Sequence, residues 1–229
     1  MSTLAIPSAV ADIAPDGDLT ARQKRHFLIR MALRRVKPGT GSAPEFMKER
    51  TAMQPWPDLR EVLRGIDWVI VGGVATRVYM PERLTKDLDI LVRAEDREKA
   101  IEKLKQAGYH IISKLAVPGY QMRSPEGVDV DVLFGDYRWL DEALSHQEQD
   151  SAGYPVIGLP YLAMMKMEAS RGRDLSDLYI LLGWAEDDEL DHVREAVGKY
   201  MPEEIEDIES VIFIGQHERK KSPKWDDFE

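Results

Sequence analysis

Two short stretches of this chain, DLDILV at residues 87–92 and VDVDVLF at residues 128–134, alternate carboxylate and aliphatic side chains. A period of two belongs to a β-strand. It sets Asp87 and Asp89 on one face, with Leu88, Ile90 and Val92 on the other. In the second stretch Asp129 and Asp131 face one way, and Val128, Val130 and Val132 the other. Carboxylates are seldom fully buried unless something offsets their desolvation. Such strands must therefore meet water at one end or share a cation. If they are neighbours in one sheet, three or four carboxylates converge. Two like charges about 4 Å apart repel by roughly 4 kcal/mol at an effective dielectric near 20. Protons or a divalent cation relieve that repulsion, and an oxygen-only cluster suits Mg2+ or Mn2+ rather than zinc.

The surrounding pattern gives an α+β chain: a mixed β-sheet flanked by helices, then a helical C-terminal half. DWVIVGG is an apolar run ending in a glycine pair, a strand that feeds a tight turn. EDREKAIEKLKQAG carries Ala100, Ile101, Leu104 and Ala107 on one helical stripe. YHIISKLA and GYQMRS read as strands, with PEG as the turn before VDVDVLF. Beyond Gly135 the periods are helical. The expected divisions are an N-terminal extension with a basic helix (1–60), a core (61–135), a helical region (136–214) and a polar tail (215–229).

Composition limits the function classes. With 43% hydrophobic residues the chain can build a core. It has no cysteine, which removes disulfides and thiolate metal sites and fits a reducing compartment. No apolar run approaches the roughly 18 residues of a membrane span, so no membrane role and a cytoplasmic location are expected. The formal net charge of -10 does not favour broad attraction to nucleic acid. The basic stretch ARQKRHFLIRMALRRVK is the exception and supplies a local RNA contact surface or a solvated helix face.

Gly72 and Gly73 lie between a strand and a short helix. Backbone without Cβ atoms there lets a phosphate approach the first helical N–H groups. A glycine pair alone is more often just a turn. In order with the DxD strand it is more specific, and GGVATRVYMPERLTKDLDILV resembles the signature of the DNA polymerase beta-like nucleotidyltransferase superfamily. Arg83 and Thr85 ahead of Asp87 resemble the R-x-T-x-D-x-D form of the abortive-infection-type (AbiEii-like) nucleotidyltransferases, which include toxin components of toxin–antitoxin systems. The likeness spans residues 66 to 182, through Lys166 in YLAMMKMEASRG and the element RDLSDL at 173–178.

The resemblance implies a nucleotidyltransferase fold and a metal-dependent transfer of a nucleotide from a nucleoside triphosphate to an acceptor hydroxyl. The acceptor is RNA or a small molecule, and an antitoxin is the implied partner. Gly72 and Gly73 would cradle the triphosphate, with Thr85 beside it and Arg83 either beside it or paired with a carboxylate to hold the strand entry. Asp87, Asp89 and a third carboxylate would hold Mg2+ or Mn2+. Asp131 is favoured for the third position and Asp129 is the alternative. Lys166 would contact a phosphate or be a solvated helix residue. Asp177 would join the site or cap and pack a helix. A non-catalytic binding or regulatory partner of a toxin–antitoxin system is the competing reading. The five histidines have no metal-ligand spacing, and Tyr179 and Trp184 fit a helix core.

Overall fold

The structure is a computed structural model. It describes residues 5–20, 23, 24, 27, 28, 30, 31, 56–80, 85 and 87–219, and the backbone alone of 220 and 221. Arg83 and most of the basic N-terminal stretch lie outside the described residues. In chain order the described helices are Ser8–Ala11 (α1), Leu59–Val62 (α2), Gly72–Ala75 (α3), Arg97–Gln106 (α4), Leu140–Ser145 (α5), Leu159–Ala169 (α6), Gly172–Trp184 (α7), Asp187–Tyr200 (α8) and Ile205–Lys221 (α9). The strands are Trp68–Val71 (β1), Leu88–Arg93 (β2), His110–Lys114 (β3), Gly119–Arg123 (β4), Asp129–Gly135 (β5), Glu148–Gln149 (β6) and Pro155–Val156 (β7). The chain divides into two compact units, Pro38–Leu162 and the pair Met1–Lys37 with Ala163–Glu229.

The first unit holds a mixed seven-stranded sheet in the order β3-β4-β5-β2-β1-β7-β6. β1 is buried along its whole length, as expected of a continuous apolar WVIV run in a sheet interior. It pairs antiparallel with β2, and β2 pairs in parallel with β5. Helix α4 packs Ala100 and Leu104, both fully buried, and ends before Gly108 at φ +88. Its Arg97 lies over the rings of Tyr120 and Phe134, so α4 covers the face opposite the carboxylates. Asp58 caps α2 by accepting from the Arg60 N–H.

The two-residue strands β6 and β7 have no counterpart in the sequence reading, because two residues carry no period. At the outer edge, β3 is exposed throughout, and Ile111 and Ile112 stand in solvent.

In the second unit Thr20 opens the N-terminal helical residues. Its hydroxyl accepts from Gln23 N–H at 3.2 Å, while the Gln23 side chain accepts from Thr20 N–H at 2.9 Å. Phe27 and Met31 are buried. Arg194 on α8 pairs with Glu209 on α9 at 2.7 Å. α9 continues through Lys221, across the first part of the segment whose polarity marked a tail. Trp184 corrects its expected place in a core. It is 45% exposed because it ends α7, where Arg219 stacks over its ring and donates to its carbonyl at 2.8 Å.

Helices α7 and α9 cross backbone to backbone at Gly183 and Gly215. A Cβ on Gly215 would lie 2.1 Å from the Tyr179 carbonyl oxygen, and one on Gly183 would lie 2.6 Å from the Gly215 carbonyl. Neither oxygen can rotate away. Gly215→Ala is therefore expected to separate the helices and destabilise the protein by about 1–3 kcal/mol. Thermal unfolding should register this as roughly 2–4 °C of Tm per kcal/mol.

Candidate active site

The carboxylates come together through strand register. Asp89 on β2 and Asp131 on β5 are direct cross-strand partners in the parallel pair, so their side chains leave the sheet on one face. Asp87 precedes β2 by one residue and has the parity of Asp89. Asp87, Asp89 and Asp131 are each half-buried, at a point where the sheet interior opens to solvent. The sequence expectation that the two acidic strands are neighbours therefore matches the sheet.

The glycine pair meets this cluster directly. Val71 faces Asp89 across β1 and β2, and the next residue, Gly72, has φ +65. A Cβ on Gly72 would lie 2.1 Å from Asp89 Oδ2 and 2.6 Å from Asp89 Cγ. The carboxylate of Asp89 thus occupies the space that any other residue at 72 would need. Gly73 is buried, and its carbonyl accepts a hydrogen bond from the Thr76 hydroxyl at 2.8 Å, which fixes the turn. Thr85 is buried at 5% exposure.

Gly72→Ala would meet both a left-handed backbone and the Asp89 side chain. Asp89 must then shift, and a displacement of about 1 Å at a reacting centre costs on the order of 100-fold in rate. The expected outcome is a folded protein whose nucleotide-transfer rate falls by about that factor, checked by circular dichroism beside the transfer assay.

Asp129 is engaged differently from Asp131. It is 7% exposed, and Arg123 on β4, its cross-strand partner, donates from Nε to Asp129 Oδ1 at 2.8 Å. That hydrogen bond and the adjacent negative charge raise the pKa of Arg123 above its ordinary value. Sequence reasoning passed over Arg123. The signal was there, because counting back across the PEG turn sets Ser124 opposite Val128 and Arg123 opposite Asp129.

Lys166 and Asp177 belong to the second unit. The expectation of a solvated lysine does not hold: Lys166 is 4% exposed. Its ammonium donates to Asp177 at 2.7 Å and lies 3.7 Å from Asp174. Arg171 donates to Asp174 at 2.6 Å. The buried charges are thus offset within α6, α7 and the turn between them.

Among the described residues, no three His, Asp or Glu side chains already stand together as a group that could hold a metal ion. The facing pair Asp89–Asp131, with Asp87 two residues along the same face, supplies only carboxylate oxygens, a donor set that fits a hard divalent cation. Among the described residues no helix is long and apolar enough to cross a membrane.

The mixed sheet thus sets a glycine turn against a strand-borne carboxylate, with a second carboxylate facing it. A family model described as nucleotidyl transferase AbiEii toxin, type IV TA system, matches residues 58–228. The chain belongs to this nucleotidyltransferase toxin family.

A curated relative, the ADP-forming acetate–CoA ligase I of Archaeoglobus fulgidus, is 31% identical over 101 residues. That match covers 44% of this chain and spans only 14% of the relative's length. Among solved structures, the solution structure of the antibiotic-resistance factor ANT(2'')-Ia has a TM-score of 0.36 at 15% identity, covering 86% of this chain and 95% of that one. The crystal structure of ANT(2'')-Ia with adenylyl-2''-tobramycin has a TM-score of 0.34 at 18% identity, covering 67% and 90%. Terminal uridylyl transferase 4 from Trypanosoma brucei with bound GTP has a TM-score of 0.30 at 14% identity, covering 63% and 64%.

Proposed function

We propose that this chain is a Mg2+- or Mn2+-dependent nucleotidyltransferase that moves a nucleotide from a nucleoside triphosphate to an acceptor hydroxyl. The observation that carries the reading is the facing pair Asp89 and Asp131, with Gly72 packed on the Asp89 carboxylate. Asp87, Asp89 and Asp131 would hold the metal, which when bound neutralises charge developing on the phosphates. Asp131 is the better third ligand because it faces Asp89 directly, whereas Asp129 is engaged by Arg123.

Gly72 and Gly73 would receive the triphosphate on backbone N–H groups, beside Thr85 and Arg83. The acceptor oxygen attacks the α-phosphorus, its bond to the β-phosphate bridging oxygen breaks, and pyrophosphate leaves. The hydroxyl proton passes to a carboxylate oxygen of Asp131. Cytoplasmic residence and an antitoxin partner belong to the same reading.

The test incubates the full chain with each labelled nucleoside triphosphate, Mg2+ or Mn2+, total cellular RNA and small-molecule acceptors. Label transfer that vanishes in the Asp87→Ala/Asp89→Ala variant supports the reading. Metal-dependent nucleotide binding with no transfer to any acceptor would replace it with a non-catalytic regulatory partner.

A further inference from the structure

Cross-strand partners share a face of a sheet. Gln121 pairs with Asp131 and Arg123 with Asp129, so the Arg123 side chain stands on the face that carries the candidate carboxylates. Its bond to Asp129 uses Nε only, and neither terminal nitrogen hydrogen-bonds another described residue. The Arg123 side chain is 45% exposed while that of Asp129 is 7% exposed. The buried carboxylate therefore holds the guanidinium at Nε, leaving its two terminal nitrogens to a side chain that is 45% exposed. A fork fixed in this way matches the oxygens of a phosphate.

The position on the sheet says which phosphate. Gly72 adjoins β2 from the β1 side, and Arg123 lies beyond β5 on β4. The two flank Asp89 and Asp131 across three strand spacings of about 4.8 Å each. In an in-line displacement the leaving group and the nucleophile lie on opposite sides of the reacting phosphorus. If the triphosphate rests on the glycine turn, the acceptor comes from the Arg123 side.

We propose that Arg123, oriented by Asp129, binds a phosphate of the acceptor. The inference rests on the nucleotidyltransferase reading. It makes the acceptor a phosphate-bearing molecule, because a cationic small molecule would be repelled by the fork. It also makes Asp129 a positioning residue for Arg123.

The test uses the full chain, Arg123→Gln, and Arg123→Gln/Asp129→Asn, whose neutral amide pair leaves no buried carboxylate without its cation. Fluorescence anisotropy measures a short labelled single-stranded RNA across a salt series. Calorimetry measures adenosine 5'-monophosphate and each nucleoside triphosphate. If the phosphate is a phosphodiester, both variants lose roughly ten-fold in RNA affinity and the log–log salt slope falls by about one. If it is a phosphomonoester, the loss falls on the monophosphate instead. In either case triphosphate affinity stays at the wild-type value.

Unchanged binding of both phosphate probes overturns the proposal. So does a loss confined to the triphosphate, which would put Arg123 in the donor pocket. Transfer assays on the same preparations separate the two levels. Wild-type transfer with an unchanged acceptor KM in Arg123→Gln overturns the inference and leaves the function standing. Absence of wild-type transfer overturns the function and the inference with it.

Discussion

Asp89→Asn is expected to lower nucleotide transfer by at least about a thousand-fold while the protein stays folded. The substitution keeps the shape of the side chain beside Gly72 and removes its charge. Metal-assisted charge stabilisation is worth several kcal/mol, and each 1.36 kcal/mol is ten-fold in rate. Asp131→Asn should fall in the same range, because Asp131 faces Asp89 in register. Asp129→Asn should spare the chemical step and raise the acceptor KM, since its partner is Arg123. Single-turnover rates at saturating Mg2+ with a fixed acceptor measure all three. An Asp129→Asn loss as deep as that of Asp89→Asn, with an active Asp131→Asn, would exchange the two roles.

Asp177→Ala is expected to destabilise the protein by about 3–5 kcal/mol, the range for breaking one side of a buried ion pair. Lys166 and Asp177 are each 5% exposed at the side chain and meet at 2.7 Å. Removing Asp177 leaves the Lys166 ammonium in the interior with Asp174, which is 3.7 Å away and already engaged by Arg171. Urea unfolding followed by circular dichroism measures the loss. Lys166→Met combined with Asp177→Leu removes both charges and should be far milder.

The sheet around the carboxylates could be read from the chain because its signals are local. Alternation in DLDILV and VDVDVLF set the parity of Asp87, Asp89, Asp129 and Asp131, and VIVGG marked the strand and turn that reach Asp89. The pairing that makes Asp131 the neighbour of Asp89 is a long-range fact, so alternation alone left Asp129 and Asp131 equivalent. Arg123 distinguishes their surroundings, because it bonds Asp129, and that contact emerges only once β4 and β5 are aligned. Lys166 misled for a related reason. A lysine on a helix is usually solvated, and its two carboxylate partners lie on the next helix. The end of the last helix was hidden by its own composition: Gly215 and the polar, basic run after it suggest loose chain, although the helix continues through Lys221. Gly215 is there because two backbones touch, which no local pattern announces.

The division into units has a consequence for synthesis. Pro38–Leu162 is one continuous run that contains all seven described strands, whereas the other unit joins Met1–Lys37 to Ala163–Glu229. Translation proceeds from the N-terminus at about 5–20 residues per second, and domains generally fold as they emerge. The sheet can therefore close while the C-terminal helices are still unmade. The N-terminal segment leaves the ribosome first and finds its packing partners last, so Phe27 and Met31 wait uncovered for roughly 10–40 seconds. The pace of decoding beyond Leu162 thus becomes a determinant of how much chain reaches the native state and how much is held by chaperones.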